Sequence, residues 1–95
     1  MIGPPGPVHE RSVTILNRRG LHARAAARFV KLSNLFESEI EVSKDGETVS
    51  GRSIMGLMML AAATGSVIRL TARGPDAADA VCRMVQLVEN KFDEE

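Results

Sequence analysis

Few side chains in this chain of 95 residues can make or break covalent bonds, and only two of them are histidines. His22 has the informative address, within Asn17-Arg18-Arg19-Gly20-Leu21-His22-Ala23-Arg24-Ala25-Ala26. An Asn/Gly turn runs there into an alanine-rich stretch, which puts the ring at a helix start. The first turn of a helix exposes unpaired N–H groups and carries about half a unit of positive charge. That field disfavours an imidazolium and leaves a neutral ring with one free lone pair, which is a nucleophile. The same amides welcome a phosphoryl group, and the Arg24 guanidinium adds a charged fork of donors. Together these groups suit a site that accepts and releases phosphate. The plainer reading makes His22 a helix cap with Arg24 merely exposed.

The other reactive groups say less. His9 falls in a proline-rich leader and is expected to be inert. Cys82 stands alone, so it can form neither an internal disulfide nor a zinc site, and it is expected to be a small buried or half-buried apolar residue. Neither histidine has metal-ligand spacing. Ser53 precedes an apolar run and is expected to be a helix N-cap.

The elements that position these residues follow from pattern. Residues 1–10 hold three prolines and two glycines and are expected to form a flexible leader. Ser12-Val13-Thr14-Ile15-Leu16 predicts a strand. Ala23 to about Leu35 predicts a helix with Ala26, Phe29, Val30 and Ser33 on one stripe. Glu39 to Ser43 alternates apolar and polar, Asp45-Gly46 is a hairpin signal, and Thr48 to Ser50 returns. Ser53 opens a second helix, rich in Ile54, Leu57, Met58, Leu60 and Ala61, that Thr64-Gly65 should end. Val67 to Arg73 predicts the last strand. From Ala77 the spacing of Ala80, Val81, Met84, Val85, Leu87, Val88 and Phe92 predicts an amphipathic helix. The order β-α-β-β-α-β-α predicts an α+β fold: a four-stranded antiparallel sheet in an open-faced sandwich, covered on one face by three helices. Residues 11–92 should form one domain, and Asp93-Glu94-Glu95 a solvated acidic tail.

Composition narrows the function classes. Hydrophobic residues make up 44% and charged residues 25%, the balance of an ordinary globule rather than a disordered chain. Twelve basic and twelve acidic residues cancel, which argues against a general nucleic-acid binder. No apolar stretch reaches the roughly 18 residues of a membrane span, and the start lacks the pattern of a signal peptide. A lone thiol suits a reducing compartment, so a cytoplasmic location is expected. The charge is nonetheless locally polarised: Arg18, Arg19, Arg24, Arg28 and Lys31 include no acid among them.

The run Gly20-Leu21-His22-Ala23-Arg24-Ala25-Ala26-Ala27-Arg28-Phe29-Val30 resembles the active-site signature of the HPr family, the histidine-containing phosphocarriers of the bacterial phosphoenolpyruvate-dependent phosphotransferase system. Ser53-Ile54-Met55-Gly56-Leu57-Met58 resembles the family's second signature. The resemblance extends from about Arg11 to Phe92 and implies an HPr-like sandwich. It implies that His22 carries phosphate on Nδ1, received from Enzyme I and passed to an EIIA-type protein, with Arg24 stabilising the phosphorylated state. It implies that Ser53 is the target of an HPr kinase/phosphorylase. It requires neither cofactor nor metal, and makes the chain a co-substrate of other enzymes rather than a stand-alone catalyst. One departure is visible: Ala25 stands where the family usually has proline, which is expected to loosen the helix start modestly.

Apolarity and charge together suggest a docking surface. Ile54, Met55 and Met58 exceed what a short helix can bury, and methionine adapts to several partners. With Ala23, Arg24, Arg28 and Lys31 around them, they suit acidic partner proteins. A monomer is expected. The arginine-rich turn, Ala25 and the Ser53 block resemble HPr proteins of regulatory, nitrogen-related pathways more than those feeding sugar uptake.

Other readings fare less well. An RNA-recognition module shares the element order but stacks bases on strand aromatics, whereas Phe29, Phe36 and Phe92 fall on helices or their ends. A metal-chaperone variant needs paired cysteines. A purely regulatory HPr-fold protein, controlled at Ser53 with little phosphotransfer of its own, is the remaining alternative; the presence of both His22 and Arg24 speaks against it.

Overall fold

The structure, a computed structural model, describes residues 6–94. Among them the order is β1 (Val8–Thr14), α1 (Ala23–Ser33), β2 (Glu39–Lys44), β3 (Glu47–Ser50), α2 (Ile54–Met59), β4 (Val67–Arg73) and α3 (Ala77–Glu89), followed by a single 3₁₀ turn at Lys91–Asp93. The strands form one sheet in the order β1-β4-β2-β3, with every neighbouring pair antiparallel. The expected α+β class, with three helices beside a four-stranded antiparallel sheet, is what the chain adopts.

Alternation along the strands sorts the sheet into a wet face and a buried one. Val13, Ile40, Val42, Ile68, Leu70 and Ala72 point into the core, where Phe29 of α1, Leu57 of α2 and Met84 and Val88 of α3 meet them. Asp45 and Gly46 both take positive φ, 51° and 87°, which is the backbone a tight two-residue hairpin demands.

Two boundaries and the exposure of Cys82 depart most from the sequence expectation. The first strand begins at Val8 rather than Ser12, because β4 offers a partner for every residue from Val8 opposite Arg73 to Thr14 opposite Val67. Pro7 lacks a donor but its carbonyl still accepts from Gly74 N at 3.1 Å, so the prolines stop short of preventing the ladder. Residues 8–10 of the expected leader are therefore strand, and His9 is an exposed residue opposite Ala72; the leader's first five residues and Glu95 of the tail lie outside the described residues. Helix α2 ends at Met59, well before Thr64. The backbone after it is committed elsewhere: Ala62 O accepts from Leu21 N at 2.9 Å, and Ile15 exchanges bonds with Ser66 O and Gly65 N, both at 2.8 Å. Cys82 is exposed on α3, since the helix turns Val81, Met84 and Val85 inward instead.

Two polar devices hold the helices in register with the sheet. Asp76 occupies the N-cap position of α3 but turns its carboxylate to the entry of β2, accepting from Glu37 N and Ser38 N at 2.9 Å and from Ser38 Oγ at 2.5 Å. The hydrogen bond from the Ser38 hydroxyl, and then that from the Glu37 amide, hold this carboxyl below its ordinary value. Arg52 Nη2 lies 3.1, 2.7 and 3.1 Å from the carbonyls of Ser33, Phe36 and Ser38, placing a cation at the C-terminal end of α1, where its dipole favours one.

Replacing Asp76 by Ala should cost about 2 kcal/mol of stability, the scale of hydrogen bonds to a charged acceptor, read as a lower urea midpoint at pH 7. A depressed folded pKa means that the charged form is favoured in the native state. The penalty should thus be fully present above the ordinary value of 3.8 and fade as pH falls through the lowered one. An unchanged midpoint would show the contact to be incidental.

Candidate functional site

His22 is the N-cap of α1, with extended backbone (φ −79°, ψ 179°) and no side-chain cap bond of its own. The intrahelical ladder starts with Ala26 N donating to His22 O at 2.8 Å, so the amides of Ala23, Arg24 and Ala25 stay outside it. Gly20 fixes the approach. Its φ is +69°, and a Cβ there would stand 2.5 Å from Ala62 O, so only glycine lets this loop run against the end of α2.

The ring is partly exposed and is held from an unexpected quarter. Glu94 Oε2 lies 2.6 Å from His22 Nε2, across 72 positions of sequence. The other carboxylate oxygen, Oε1, accepts from Asn17 Nδ2 at 2.8 Å, and Asn17 Nδ2 also reaches Gly20 O at 2.8 Å. Burial pushes the Glu94 carboxyl up and is the strongest single influence, but hydrogen bonds from Asn17 and His22 and the charges of His22 and Arg28 outweigh it, leaving the carboxyl below its ordinary value. An ionised carboxylate can only accept, so Nε2 carries a proton, and whenever the ring is neutral its lone pair is on Nδ1. Glu94 is therefore part of the site, not of a solvated tail. A carboxylate orients the ring in addition to the helix-start field.

The strap that brings Glu94 here has unusual backbone. Lys91, Phe92 and Asp93 take positive φ in succession, at 57°, 53° and 61°. Left-handed backbone costs an ordinary L-residue about 1–2 kcal/mol. Phe92 is fully buried, and the Arg28 guanidinium donates to its carbonyl; both interactions offset that cost.

On the side of the ring's carboxylate partner lies a strongly cationic rim. Arg18, Arg19, Arg24 and Glu94 line a cavity of about 370 Å³. Arg19 and His22 also line a smaller one of about 220 Å³, with Leu21 and Ala61 to Ala63. Guanidiniums, unladdered amides and a ring with an open nitrogen make a surface suited to a small tetrahedral anion. Among the described residues, no cluster of His, Cys, Asp and Glu could hold a metal ion.

The remaining expected residues divide between two places. Ser53 caps α2, its Oγ accepting from Gly56 N at 2.9 Å. Ile54, Met55, Met58 and Met59 are 42%, 70%, 42% and 73% exposed, an apolar patch with only Leu57 of this helix buried. Ala23 and Arg24 are exposed at the start of α1, whereas Ala25 is fully buried there. Arg28 and Lys31, expected to ring the methionines, instead line a groove beside α3. Asn17 reads locally as a turn former, and nothing next to Glu94 in the sequence marks it as part of a site.

A family model described as the PTS HPr component phosphorylation site matches residues 9–90. The chain belongs to the HPr family. The HPr phosphocarrier of Cupriavidus necator is 44% identical over 85 residues, covering 90% of this chain and 96% of that protein. That of Neisseria meningitidis is 46% identical with the same coverage. Among solved structures, HPr from Thermoanaerobacter tengcongensis superposes with a TM-score of 0.87 at 45% identity, covering 92% of this chain and 98% of its own. The Crh protein of Bacillus subtilis, described as a domain-swapped dimer, gives 0.72 at 42% identity, covering 78% of this chain and 85% of its own. HPr phosphocarriers thus share this fold.

Glu94→Gln keeps the shape of the contact but removes the carboxylate that orders the proton on Nε2. The ring's ¹⁵N tautomer pattern, dominated by Nε2–H in the parent, should become mixed while the melting temperature moves by only a few degrees. An unchanged tautomer pattern would remove Glu94 from the site.

Proposed function

We propose that His22 accepts a phosphoryl group on Nδ1 from a phosphohistidine of Enzyme I and delivers it to a histidine of an EIIA-type protein. The observation that carries this reading is the ring itself: Nε2 is engaged by Glu94 at 2.6 Å, which leaves Nδ1 as the nitrogen with a lone pair, beside a cationic rim. In the transfer, the Nδ1 lone pair forms the new N–P bond as the donor's N–P bond breaks, and the electron pair returns to the donor nitrogen. Both ends are phosphoramidates, so the exchange is close to thermoneutral and depends on alignment. Charge in the transition state spreads over three equatorial oxygens, which suits the unladdered amides and the Arg24 guanidinium.

Protonated Nε2 also bears on departure. A carboxylate beside it favours the positive ring that forms when a phosphorylated imidazole keeps this proton, and that ring is the better leaving group. Glu94 thus acts through His22 as a positioning residue.

Docking of both partners rests in this reading on the exposed Ile54, Met55 and Met58 of α2 together with Ala23 and Arg24 at the start of α1. Arg28 and Lys31 add positive charge that steers acidic partners. Ser53 borders the patch. An HPr kinase/phosphorylase would place about −1.5 to −2 charges there while preserving the acceptor that caps Gly56 N, opposing an acidic partner without unfolding α2. Partners of this kind suit a cytoplasmic location, and the arginine-rich turn, Ala25 and the Ser53 block favour the regulatory, nitrogen-related branch over sugar uptake.

With Enzyme I and radiolabelled phosphoenolpyruvate, the protein should take up one acid-labile, base-stable phosphate per chain. His22→Ala should abolish it and His9→Ala should retain it; label persisting in His22→Ala would end the assignment. Arg24→Ala should slow transfer roughly tenfold to a hundredfold with the fold intact. Incubation with ATP and HPr kinase should phosphorylate Ser53, and a Ser53→Ala variant should stay unlabelled.

A further inference from the structure

The groove between α1 and α3 lies apart from the α2 patch and has a chemistry of its own. Arg28, Lys31 and Leu32 form one stripe along α1, continued just past its end by Leu35, and Arg83 and Leu87 form another along α3, at spacings of three or four residues that put helical neighbours on one face. They enclose about 460 Å³. The leucines make an apolar floor, and Leu35 is 68% exposed, a large aliphatic surface left facing water. The three cations form the rim. None of them is in an ion pair with a described residue; Arg28 donates to the Phe92 carbonyl, and Arg83 lies 5.7 Å above the Phe36 ring. Asp93, at one end, is the single acid in the lining.

We propose that this groove is a second docking site, for an amphipathic helix of a partner protein that carries leucine-like side chains on one face and glutamates or aspartates along its edges. Charge complementarity selects that occupant. A carboxylate on either edge would meet Lys31 or Arg83, neither of which is in an ion pair with a described residue, while the apolar face covers Leu32, Leu35 and Leu87. The stripe from Arg28 to Leu35 spans roughly 10 Å, so about two turns of helix fill it. A basic or neutral helix would leave the rim unpaired. The site needs neither phosphate on His22 nor the α2 patch, so it stands or falls separately from phosphotransfer.

The experiment titrates the full-length isotope-labelled protein with a synthetic helical peptide bearing leucines on one face and glutamates on the other, followed by amide NMR shifts. Shifts should concentrate on Lys31, Leu35, Arg83 and Leu87, and affinity should fall steeply with added salt. Arg83→Glu and Leu35→Ser, both on exposed positions, should each weaken binding about tenfold, with thermal melts confirming that they fold. The same peptide with lysines in place of the glutamates should bind at least tenfold more weakly. Shifts confined to Ile54, Met55 and Met58, equal binding of the lysine peptide, concentration-dependent self-association through the groove, or the same shifts with phosphatidylserine vesicles but not with the peptide would each overturn the proposal.

Discussion

A single carboxylate ties the C-terminal strap to the His22 ring. Glu94 bridges Asn17 and His22 with both oxygens, and the loop geometry, the ring orientation and the closure of the C-terminal segment over α1 all converge on it. The contact is possible only because Lys91, Phe92 and Asp93 adopt left-handed backbone. Burial of Phe92 and the bond from Arg28 to its carbonyl offset that strain.

The carboxylate sits among cations, and the balance between them matters chemically. Arg18, Arg19 and Arg24 surround one acid, so the local field stays positive toward an incoming anion while the ring keeps a fixed proton on Nε2. A preorganised field of this kind costs nothing to rearrange when charge moves. It also explains how a chain with no net charge can present a strongly positive face. The cations are concentrated on α1 and the loop before it, and the acids of the Glu37 to Glu47 stretch fall on and around the β2–β3 hairpin.

Two exposed apolar features flank this charge. Helix α2 offers methionines, which repack against different surfaces at low cost, and the α1–α3 groove offers leucines inside a rim of fixed charge. A short helix that buries only Leu57 contributes little to the core; its stability comes from the Ser53 cap and from the staple made by Arg52.

Local pattern alone determined much of this protein. The alternation of Glu39 to Ser43, the Asp-Gly turn, the helical spacing in α1 and α3, and the glycine turn before His22 all encode what the backbone does within a few residues, where dihedral preference and one-sided burial decide the outcome. The reach of β1, the early end of α2 and the exposure of Cys82 depended on which strand, loop or helix face lay opposite, and a partner distant in sequence leaves no local trace. Only the tertiary structure decided that Glu94 meets His22 and that Arg28 and Lys31 turn toward α3 rather than toward the methionines. A hydrogen bond spanning 72 positions is specified by the packing of Phe92 into the core, not by any pattern next to either partner.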